Sequence, residues 1–465
     1  MIDTEALRKK VIDLAIQGKL TQQLPEDGNA EELYAQIQEE KAKLIKEGKI
    51  KSEKLLPEIS DDEIPFEIPD TWQWVHMGDV FEHNTGKALN NADKNGVKLE
   101  YITTSNMYWD HFELDGLKSM FFKESEIEKC TITNGDLLIC EGGDIGRSAI
   151  WTFDFDMRIQ NHIHKLRGYG GIVHKYYFYI MRNYKDMGMI DGRGIGLQGF
   201  SSKRVHSLIV PLPPLAEQNR IVDKLDNVLA QIDCIASLQQ QYESDREILK
   251  GKIIDAGIRG KLTEQLPEDG NAEDLYAQIQ EEKAKLIKEG KIKKEKPLPE
   301  ISDEEIPFEI PKTWKWLRFG DLMWNRDSER IPVSVAERKK LSKNYDYYGA
   351  SGVIDKVENY IFEEKLLLIG EDGANLVSRS TPIAFIATGK YWVNNHAHVL
   401  GCYKCDYLDF VMYYINSISL IPYVTGSAQP KLNQENMNKI PVPLPPFKEL
   451  TRISNRINDL FALVM

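Results

Sequence analysis

The chain has 465 residues, of which 42% are apolar, and it carries a net charge of −13. This composition is sufficient for several hydrophobic cores and excludes a disordered or fibrous protein, while the acidic balance argues against nucleic-acid binding if the whole chain is averaged. No apolar run is long enough to cross a membrane, residues 1–17 do not form a secretory signal, and five cysteines are too few for a disulfide scaffold. We therefore expect a soluble cytoplasmic protein without a membrane partner.

Two segments of the chain are near copies of each other. Residues 18–69 match residues 260–311 at 47 of 52 positions, and residues 210–221 resemble residues 442–453. Between these markers the two halves of the chain have almost nothing in common. The repeat predicts conserved helical segments and arms that alternate with two variable domains. The predicted boundaries are 1–70 (helix and arm), 71–214 (first variable domain), 215–312 (central helix and arm), 313–446 (second variable domain) and 447–465 (last helix).

The conserved segments have the periodicity of long helices. In the central segment, apolar residues recur at intervals of three and four positions, which is typical of a coiled coil and predicts one helix from Ala216 to Gly257. The N-terminal helix repeats the end of this pattern and the C-terminal helix repeats its beginning. We therefore expect an α+β protein in which two mixed α/β domains are joined by antiparallel helical spacers with a pseudo-twofold, circular organisation.

Each repeat also contains a second predicted helix, which begins after Asp27 or Asn29 and ends at Gly48 in the first copy. The residues that follow, 56–69 and 298–311, contain prolines at short intervals and are predicted to be extended arms. An arm of this kind either lies over its own domain as a linker or provides a docking strip for a partner. The sequence favours neither interpretation.

The acidic charge is confined to the conserved segments. The first variable domain contains 16 basic and 17 acidic residues, and the second contains 15 basic and 14 acidic residues. Two nearly neutral domains on acidic helices are compatible with DNA contact on one face of each domain. Neutral domains are common, however, so charge alone does not identify the ligand.

The variable domains are predicted to contain many short strands. Apolar runs that end in glycine turns predict buried strands at 136–143 and 366–373. Two further strands carry paired histidines, His162 with His164 and His396 with His398. Two ligands do not form a metal site and no third ligand has a suitable spacing, so we predict structural histidines and no metal. The motif Cys402-Tyr-Lys-Cys405 lacks a second pair and is discounted for the same reason.

Two glycine-rich loops, residues 192–204 and 425–433, are the strongest candidates for DNA contacts. Glycine permits a close backbone approach, Gln and Arg can bind base edges, and Lys and Ser can bind phosphates. Alternatively, the glycines only form turns. The polar stretches 84–91 and 338–343 are weaker candidates. The predicted DNA-binding residues are Asn84, Lys87, Arg193, Gln198, Ser201, Lys203, Arg204, Lys339, Lys343, Gln429, Lys431 and Asn433.

Known catalytic motifs are absent from the sequence. It has no phosphate-binding loop of the form G-x-x-x-x-G-K-[ST], and no Asn-Pro-Pro-aromatic tetrapeptide of the kind that adenine methyltransferases use. We also find no pair of carboxylates with a lysine at the spacing of a nuclease site. These absences predict a non-catalytic chain.

The arrangement as a whole resembles the specificity subunits of type I restriction-modification enzymes. Three motifs carry the resemblance, each present in two copies: the segment 211–221 with its copy from Pro443, the helix end 257–263 with its copy at 16–21, and Pro65-Phe-Glu-Ile-Pro-x-x-Trp-x-Trp74 with its copy from Pro307. The resemblance implies a protein whose variable domains are target-recognition domains. Each domain would read one half of an asymmetric, bipartite target in double-stranded DNA, and the helices would set a gap of about one helical turn.

The same resemblance implies partners. Two adenine-N6 methyltransferase subunits would dock on the repeated helical surfaces, and restriction/translocase subunits would join them. S-adenosylmethionine, ATP and magnesium would be bound by those partners and not by this chain. A coiled-coil adaptor with two ligand-binding domains and no DNA role remains an alternative, as does a self-sufficient methyltransferase, although the missing tetrapeptide argues against the latter.

Overall fold

The computed structural model describes residues 1–52, 56–90, 92, 94–190, 199–294, 296–404, 406–426 and 428–464. The chain divides into two units, residues 1–240 and 241–465, and each unit contains one variable domain. Both units combine helices and strands, so the predicted α+β class is confirmed. Among the described residues, no helix has the length and hydropathy that a membrane span requires.

The described residues of the first unit form six complete α-helices and the first part of a seventh, long helix that continues into the second unit. These helices are α1 (Thr4–Ile16), α2 (Ala30–Lys46), α3 (Met77–Val80), α4 (Glu124–Cys130), α5 (His174–Asp186), α6 (Ser202–His206) and α7 (Leu215–Ile258). The strands of this unit are β1 (Gln73–His76), β2 (Phe81–Thr85), β3 (Val97–Ile102), β4 (Met107–Tyr108), β5 (His111–Phe112), β6 (Lys118–Phe122), β7 (Thr131–Ile132), β8 (Leu137–Cys140), β9 (Ser148–Ile150), β10 (Met157–Ile159), β11 (Ile163–Gly168) and β12 (Ile209–Leu212).

Eight strands of the first variable domain form two four-stranded sheets, and β4 and β5 form a separate pair. One has the antiparallel order β2-β11-β8-β9, and the other has the order β6-β3-β10-β7 with a parallel pair, β3 and β10. Strand β1 pairs antiparallel with β12, so that Gln73 lies opposite Leu212. The first and last strands of the domain therefore lie side by side, and the domain is an insertion with adjacent ends.

Where the structure describes it, the second unit contains the remainder of α7 and seven further α-helices. These are α8 (Ala272–Lys288), α9 (Phe319–Leu322), α10 (Val335–Arg338), α11 (Asn375–Ser378), α12 (Leu408–Ser417), α13 (Gln434–Asn438) and α14 (Phe447–Val464). Its strands are β13 (Lys315–Arg318), β14 (Met323–Asn325), β15 (Tyr345–Gly349), β16 (Gly352–Val357), β17 (Leu366–Gly370), β18 (Ala384–Ala387), β19 (Tyr391–Val393), β20 (Ala397–Cys402) and β21 (Pro441–Leu444).

The second variable domain repeats most of the topology of the first, although the two sequences have little in common. Its antiparallel sheet has the order β14-β20-β17-β18, and its second sheet has the order β16-β15-β19 with β15 and β19 parallel. Strand β13 pairs antiparallel with β21, and Lys315 lies opposite Leu444. Both domains are thus built on one plan.

In each unit, one core joins the variable domain to the helices that carry it. In the first unit, Ile12 of α1, Ile37 of α2 and Ile221 of α7 belong to the same buried cluster as Tyr176 and Tyr177 of α5. Each aliphatic side chain buried in this way contributes about 1.5–3 kcal/mol to the free energy of unfolding. The helices are therefore part of the fold of each unit.

Helices α1 and α7 pair antiparallel within the first unit. The Ile2 amide donates a hydrogen bond to Gln239 at 2.8 Å, whereas Gln23, which lies beyond the other end of α1, donates to Glu217 at 2.8 Å. Within the second unit, α7 and α14 are also antiparallel, because Gly257 lies against Ile457 and the later residue Gln265 bonds the earlier residue Glu449. Antiparallel pairing is confirmed within each unit, and the circular closure stays a prediction.

The same buried contacts hold the repeated helical segments together in both units. We call these segments, residues 18–69 with the start of α7 and residues 260–311 with α14, the two helical frames. Trp72 Nε1 donates a hydrogen bond to Glu217 Oε2 at 2.8 Å, and Trp314 Nε1 donates one to Glu449 Oε2 at 2.9 Å. A bidentate ion pair accompanies each bond: Arg220 binds Asp27 in the first unit, and Arg452 binds Asp269 in the second. The last helix therefore repeats the role of the start of α7, although Lys448, Leu450 and Thr451 differ from the first copy.

The predicted helix bounds and the arms agree with the structure. Helix α7 extends one residue beyond the prediction at each end, and Asn29 Oδ1 caps α2 by accepting the Glu32 amide at 3.1 Å. Each arm contacts its own domain: the rings of Phe66 and Trp74 are 5.0 Å apart. These contacts favour the interpretation of the arms as linkers that lie over their own domains.

Candidate nucleic-acid interface

Phe200 lies within the predicted loop 192–204 of the first variable domain, and the sheet β2-β11-β8-β9 binds both of its backbone groups. The Phe200 amide donates a hydrogen bond to the Glu141 carbonyl at 2.8 Å, and the Phe200 carbonyl accepts one from His164 Nε2 at 2.6 Å. Because a carbonyl only accepts, His164 carries a proton on Nε2. His164 lies in β11 and is fully buried, so its bond is shielded from water.

The second variable domain has the same arrangement at Leu432. The Leu432 amide donates a hydrogen bond to the Glu371 carbonyl at 2.8 Å, and its carbonyl accepts one from His398 Nε2 at 2.7 Å. His398 lies in β20, the counterpart of β11, and is also buried. We call each set of two bonds a loop anchor.

Strand pairing places the two halves of each loop anchor next to each other. Glu141 directly follows β8, and β8 pairs antiparallel with β11, with Cys140 opposite Ile163. In the second unit the corresponding partners are Gly370 and Ala397. Phe200 and Leu432 therefore lie at the same edge of the equivalent sheets.

A short helix follows each loop anchor and carries several of the predicted DNA-binding residues. Ser201 occupies the N-cap position of α6, and Asn433 caps α13 by accepting the Asn436 amide at 2.8 Å. Lys203 projects from α6 as an exposed side chain. The guanidinium of Arg204 lies 5.3 Å from the centre of the Phe200 ring and is partly buried. Asn433 is thus part of the helix cap, and Lys203 is accessible to a ligand.

The second glycine-rich loop is closed by its own backbone. Thr425 and Lys431 exchange two backbone hydrogen bonds, at 2.8 and 2.9 Å, and Gly426 has a φ of +83°. A Cβ atom at Gly426 would lie 2.6 Å from the Gln429 carbonyl, so a larger residue does not fit this turn. Gln429 is exposed at the tip, and Lys431 Nζ lies 3.1 Å from Glu371 Oε1. Gly426 is therefore required by the turn, and the turn leaves the side chain of Gln429 exposed to solvent.

The weaker candidates make contacts within their own domains. Lys87 donates to Glu126 at 2.6 Å and to the Phe121 carbonyl, and only 10% of its side chain is exposed. Lys343 bonds Asp355 at 2.8 Å. These two lysines would have to leave a carboxylate in order to bind phosphate, which lowers the gain from such a contact.

The remaining candidates differ in how accessible they are. Asn84 donates to Glu82 at 2.8 Å, and Lys339 is exposed at the end of α10. Arg193 and Gln198 lie outside the described residues, as does Cys405 of the discounted cysteine motif. The whole set of DNA-binding residues stays a prediction.

A chain of three histidines supports the loop anchor of the first domain. His83 Nε2 lies 2.9 Å from His164 Nδ1, and His206 Nε2 lies 2.9 Å from His83 Nδ1. Since His164 uses its proton toward Phe200, its Nδ1 accepts from His83, whose Nδ1 then accepts from His206. Burial and the two neighbouring rings lower the pKa of His83 to about 3, and burial also lowers the pKa of His164. His83 and His164 therefore take part in this chain as neutral rings.

A carboxylate supports the loop anchor of the second domain. His398 Nδ1 lies 2.6 Å from Asp327 Oδ2, and the Val399 amide donates to Asp327 Oδ1 at 2.8 Å. Burial raises the pKa of Asp327, but the hydrogen bond and charge of His398 and the charge of Arg330 outweigh it and lower the pKa overall. The two loop anchors thus share the bond to the loop and differ in what lies behind the histidine.

This cluster corrects one statement of the sequence analysis. Sequence spacing indicated no third ligand beside the histidines, but side-chain ligand atoms of Asp327, Glu371 and His398 lie within 4.8 Å of one another. Asp327 is far from His398 in sequence, so no local motif could reveal the group. Arg330 binds Glu371 at 2.7 Å and Lys431 lies 3.1 Å from it, so counter-charges for the carboxylates are already present. The arrangement is an ion-pair network, and we assign no metal to it.

A protein-family model described as the type I restriction modification DNA specificity domain matches residues 69–244 and 311–464. The chain is 30% identical over 374 residues to the type I restriction enzyme EcoAI specificity subunit of Escherichia coli. That alignment covers 68% of this chain and 62% of the EcoAI subunit, so the match spans less than two thirds of the relative's length. Against the EcoEI specificity subunit of the same species, the identity is 26% and the alignment covers 98% of this chain and 88% of that protein.

A solved structure has the same fold. The crystal structure of the HsdS subunit from Thermoanaerobacter tengcongensis matches this chain with a TM-score of 0.53 and 16% identity. The match covers 86% of this chain and 92% of that one.

Proposed function

Because the matched family model covers well over half of its length, the chain belongs to the type I restriction modification DNA specificity family, and we propose that it is the DNA-reading subunit of such an enzyme. In this proposal each variable domain reads one half of an asymmetric, bipartite target in double-stranded DNA. The chain itself is non-catalytic and acts in the cytoplasm. Neither the family nor the relatives support an adaptor without a DNA role.

The observation that carries this proposal is that two helical frames of nearly identical sequence hold two variable domains of dissimilar sequence. The Trp72–Glu217 and Trp314–Glu449 contacts are equivalent in the two units, and the conserved segments agree at 47 of 52 positions. The domains between them share a topology and have unrelated surfaces. Two equal frames suit two copies of one partner, and two unequal surfaces suit two different base sequences.

The proposed partners follow from the equal frames. Two adenine-N6 methyltransferase subunits bind the repeated helical segments, and restriction/translocase subunits join the complex for cleavage. S-adenosylmethionine, ATP and magnesium belong to these partners, in keeping with the absence of a phosphate-binding loop and of the methyltransferase tetrapeptide from this sequence.

The helices are proposed to set the distance between the half-sites. Helix α7 has 44 residues, which corresponds to about 66 Å at 1.5 Å per residue. One turn of DNA measures about 34 Å along its axis. The long helix thus exceeds the length of the gap that it has to span.

A binding and methylation experiment tests the proposal. The full chain is purified alone and with a methyltransferase subunit, and both samples are incubated with randomised duplex DNA and S-adenosylmethionine. We expect methylation only in the mixed sample, at a bipartite sequence, and a linear fall of log affinity with log salt concentration. Methylation by the chain alone, or binding that does not change with salt, would contradict the proposal.

A further inference from the structure

We propose that His164 and His398 are positioning residues for DNA reading, each of which fixes the direction of the backbone that leads into the short helix α6 or α13 of its own domain. Each does so through the Nε2 bond to the loop end, at Phe200 or Leu432. This inference rests on the proposed function above and adds residues that do not themselves touch DNA.

The loop anchors hold one residue from both sides. Phe200 and Leu432 each donate the amide to a strand-end carbonyl and accept from a buried histidine with the carbonyl. Two bonds on consecutive peptide groups fix the direction in which the chain leaves the sheet. Because the histidines are 0% and 1% exposed, water cannot replace the lost donor without entering the core.

The comparison of the two domains separates this role from simple packing. Behind the histidine, the first domain has His83 and the second has Asp327, one a neutral ring and the other a carboxylate. The side chains of the two residues that accept the histidine bond also differ, since Phe200 is aromatic and Leu432 is aliphatic. Although their sequences have little in common, both domains keep the histidine donor to the carbonyl of Phe200 or Leu432.

The exposed residues that follow the two loop anchors differ between the domains, as we expect of side chains that contact different base sequences. Helices α6 and α13 begin two residues after Phe200 and Leu432, respectively. At matching positions on these helices, Lys203 in the first domain corresponds to Glu435 in the second, and both side chains are exposed. The two loop anchors are alike, but the helices that follow them carry different side chains. In this proposal, the histidine of each loop anchor sets the orientation of those side chains.

The test uses the full chain with a methyltransferase subunit and a pool of randomised duplex DNA. His164→Leu and His398→Leu remove the donor, whereas His164→Gln and His398→Gln return an N–H near the Nε2 position. The controls are His162→Leu and His396→Leu, which alter a half-exposed neighbour two residues earlier. The selected sequences and the affinity for each half-site are measured by sequencing and by salt titration.

We expect His164→Leu to weaken discrimination at one half-site by at least about fivefold and to leave the other half unchanged. His398→Leu should do the reverse. The glutamine variants should recover most of the discrimination, and the controls should match the wild type. Purely structural damage would lower the amount of active complex but would not relax one half of the recognised sequence.

Three outcomes would overturn the inference: unchanged half-sites in a folded leucine variant, equal loss at both half-sites, or equal relaxation by the control. If a leucine variant does not fold, His164→Asn replaces it, because the asparagine amide is too short to reach Phe200. Equal specificity of the asparagine and glutamine variants would then overturn the inference. If the wild-type complex selects no bipartite sequence, the proposed function itself fails, and this result is distinguishable from every one above.

Discussion

The indole nitrogen of Trp72 donates a hydrogen bond to Glu217 Oε2 across 2.8 Å, between residues that are 145 positions apart. Glu217 is 1% exposed and also accepts from Gln23 and Thr21, so its buried carboxylate has three donors. Such a carboxylate is stable only while its donors are in place. The bond therefore ties the start of the first variable domain to the start of α7.

We predict that Glu217→Gln lowers the free energy of unfolding of the first unit by about 1–3 kcal/mol, because the amide N–H₂ then faces another donor. Glu449→Gln should cost the second unit a similar amount. Urea denaturation followed by tryptophan fluorescence measures both effects. Glu39→Gln, on the exposed face of α2, is the control, and a loss no larger than in this control would refute the prediction.

The first unit is predicted to lose stability in acid. An unfolded histidine binds a proton below a pH of about 6.5, whereas the pKa of His83 is about 3 in the folded unit. Between these values the unfolded chain binds more protons than the folded unit. The free energy of unfolding therefore decreases as the pH is lowered, by up to about 1.4 kcal/mol per pH unit for each such histidine. Burial also lowers the pKa of His164 and of His174, which adds to the effect.

Urea denaturation between pH 7 and pH 4.5 checks this dependence. The variant His83→Asn removes one titrating group and should flatten the curve. His111→Asn, at an exposed position outside the histidine chain, is the matched control variant. A wild-type stability that does not change over this range would show that the histidine chain accepts protons without cost.

Two methyltransferase subunits are predicted to bind each chain with similar affinity. The segments that would receive them agree at 47 of 52 positions and keep the same buried contacts. Mass measurement of the complex, together with calorimetric titration, gives the number of partners at saturation. Saturation at one partner per chain would contradict this expectation.

Lengthening α7 by seven residues is predicted to widen the non-specific gap in the DNA target. An insertion of one heptad keeps the apolar face in register and adds about 10 Å, or about three base pairs. Because α1 contacts α7 at Asp233 and Gln239, the insertion is best placed after Gln240, beyond those contacts. Sequencing of the methylated sites would report the gap and both half-sites.

An insertion of two residues at the same place is the matched control. It turns the rest of the helix by about 200° and should abolish activity. If the heptad insertion changed the half-site bases and left the gap as it was, the helices would not set the spacing.

The conserved parts of this fold were predictable, because their signals are local. Helix α7 has apolar residues at intervals of three and four positions over much of its length, and the second helix of the first repeat has a capping Asn29 and a terminal Gly48. Chain repetition also indicated the two-part architecture. Periodicity and capping residues depend only on neighbouring positions, so they can be recognised without knowledge of the tertiary structure.

The candidate site was only partly predictable, because its contacts join distant positions. The sequence located the glycine-rich loops and both histidine pairs, but gave no indication that His164 bonds the loop end at Phe200. His83 and Asp327 reach their histidine partners across 81 and 71 residues, respectively. Short strands such as β7 and β10 pair through the fold as a whole, so neither period nor spacing could give the sheet order.

The adjacent ends of each variable domain have a consequence for how new versions of this protein can arise. Since Gln73 lies opposite Leu212, and Lys315 lies opposite Leu444, each domain leaves and rejoins its frame at a single two-stranded seam. A foreign domain could replace the resident one without a change in either frame if it had the same terminal strands and a helix that fits the shared core as α5 does. The nearly identical segments that flank the domains mark where genetic exchange would join the pieces, so one half of the recognised sequence can be replaced while the other is inherited unchanged.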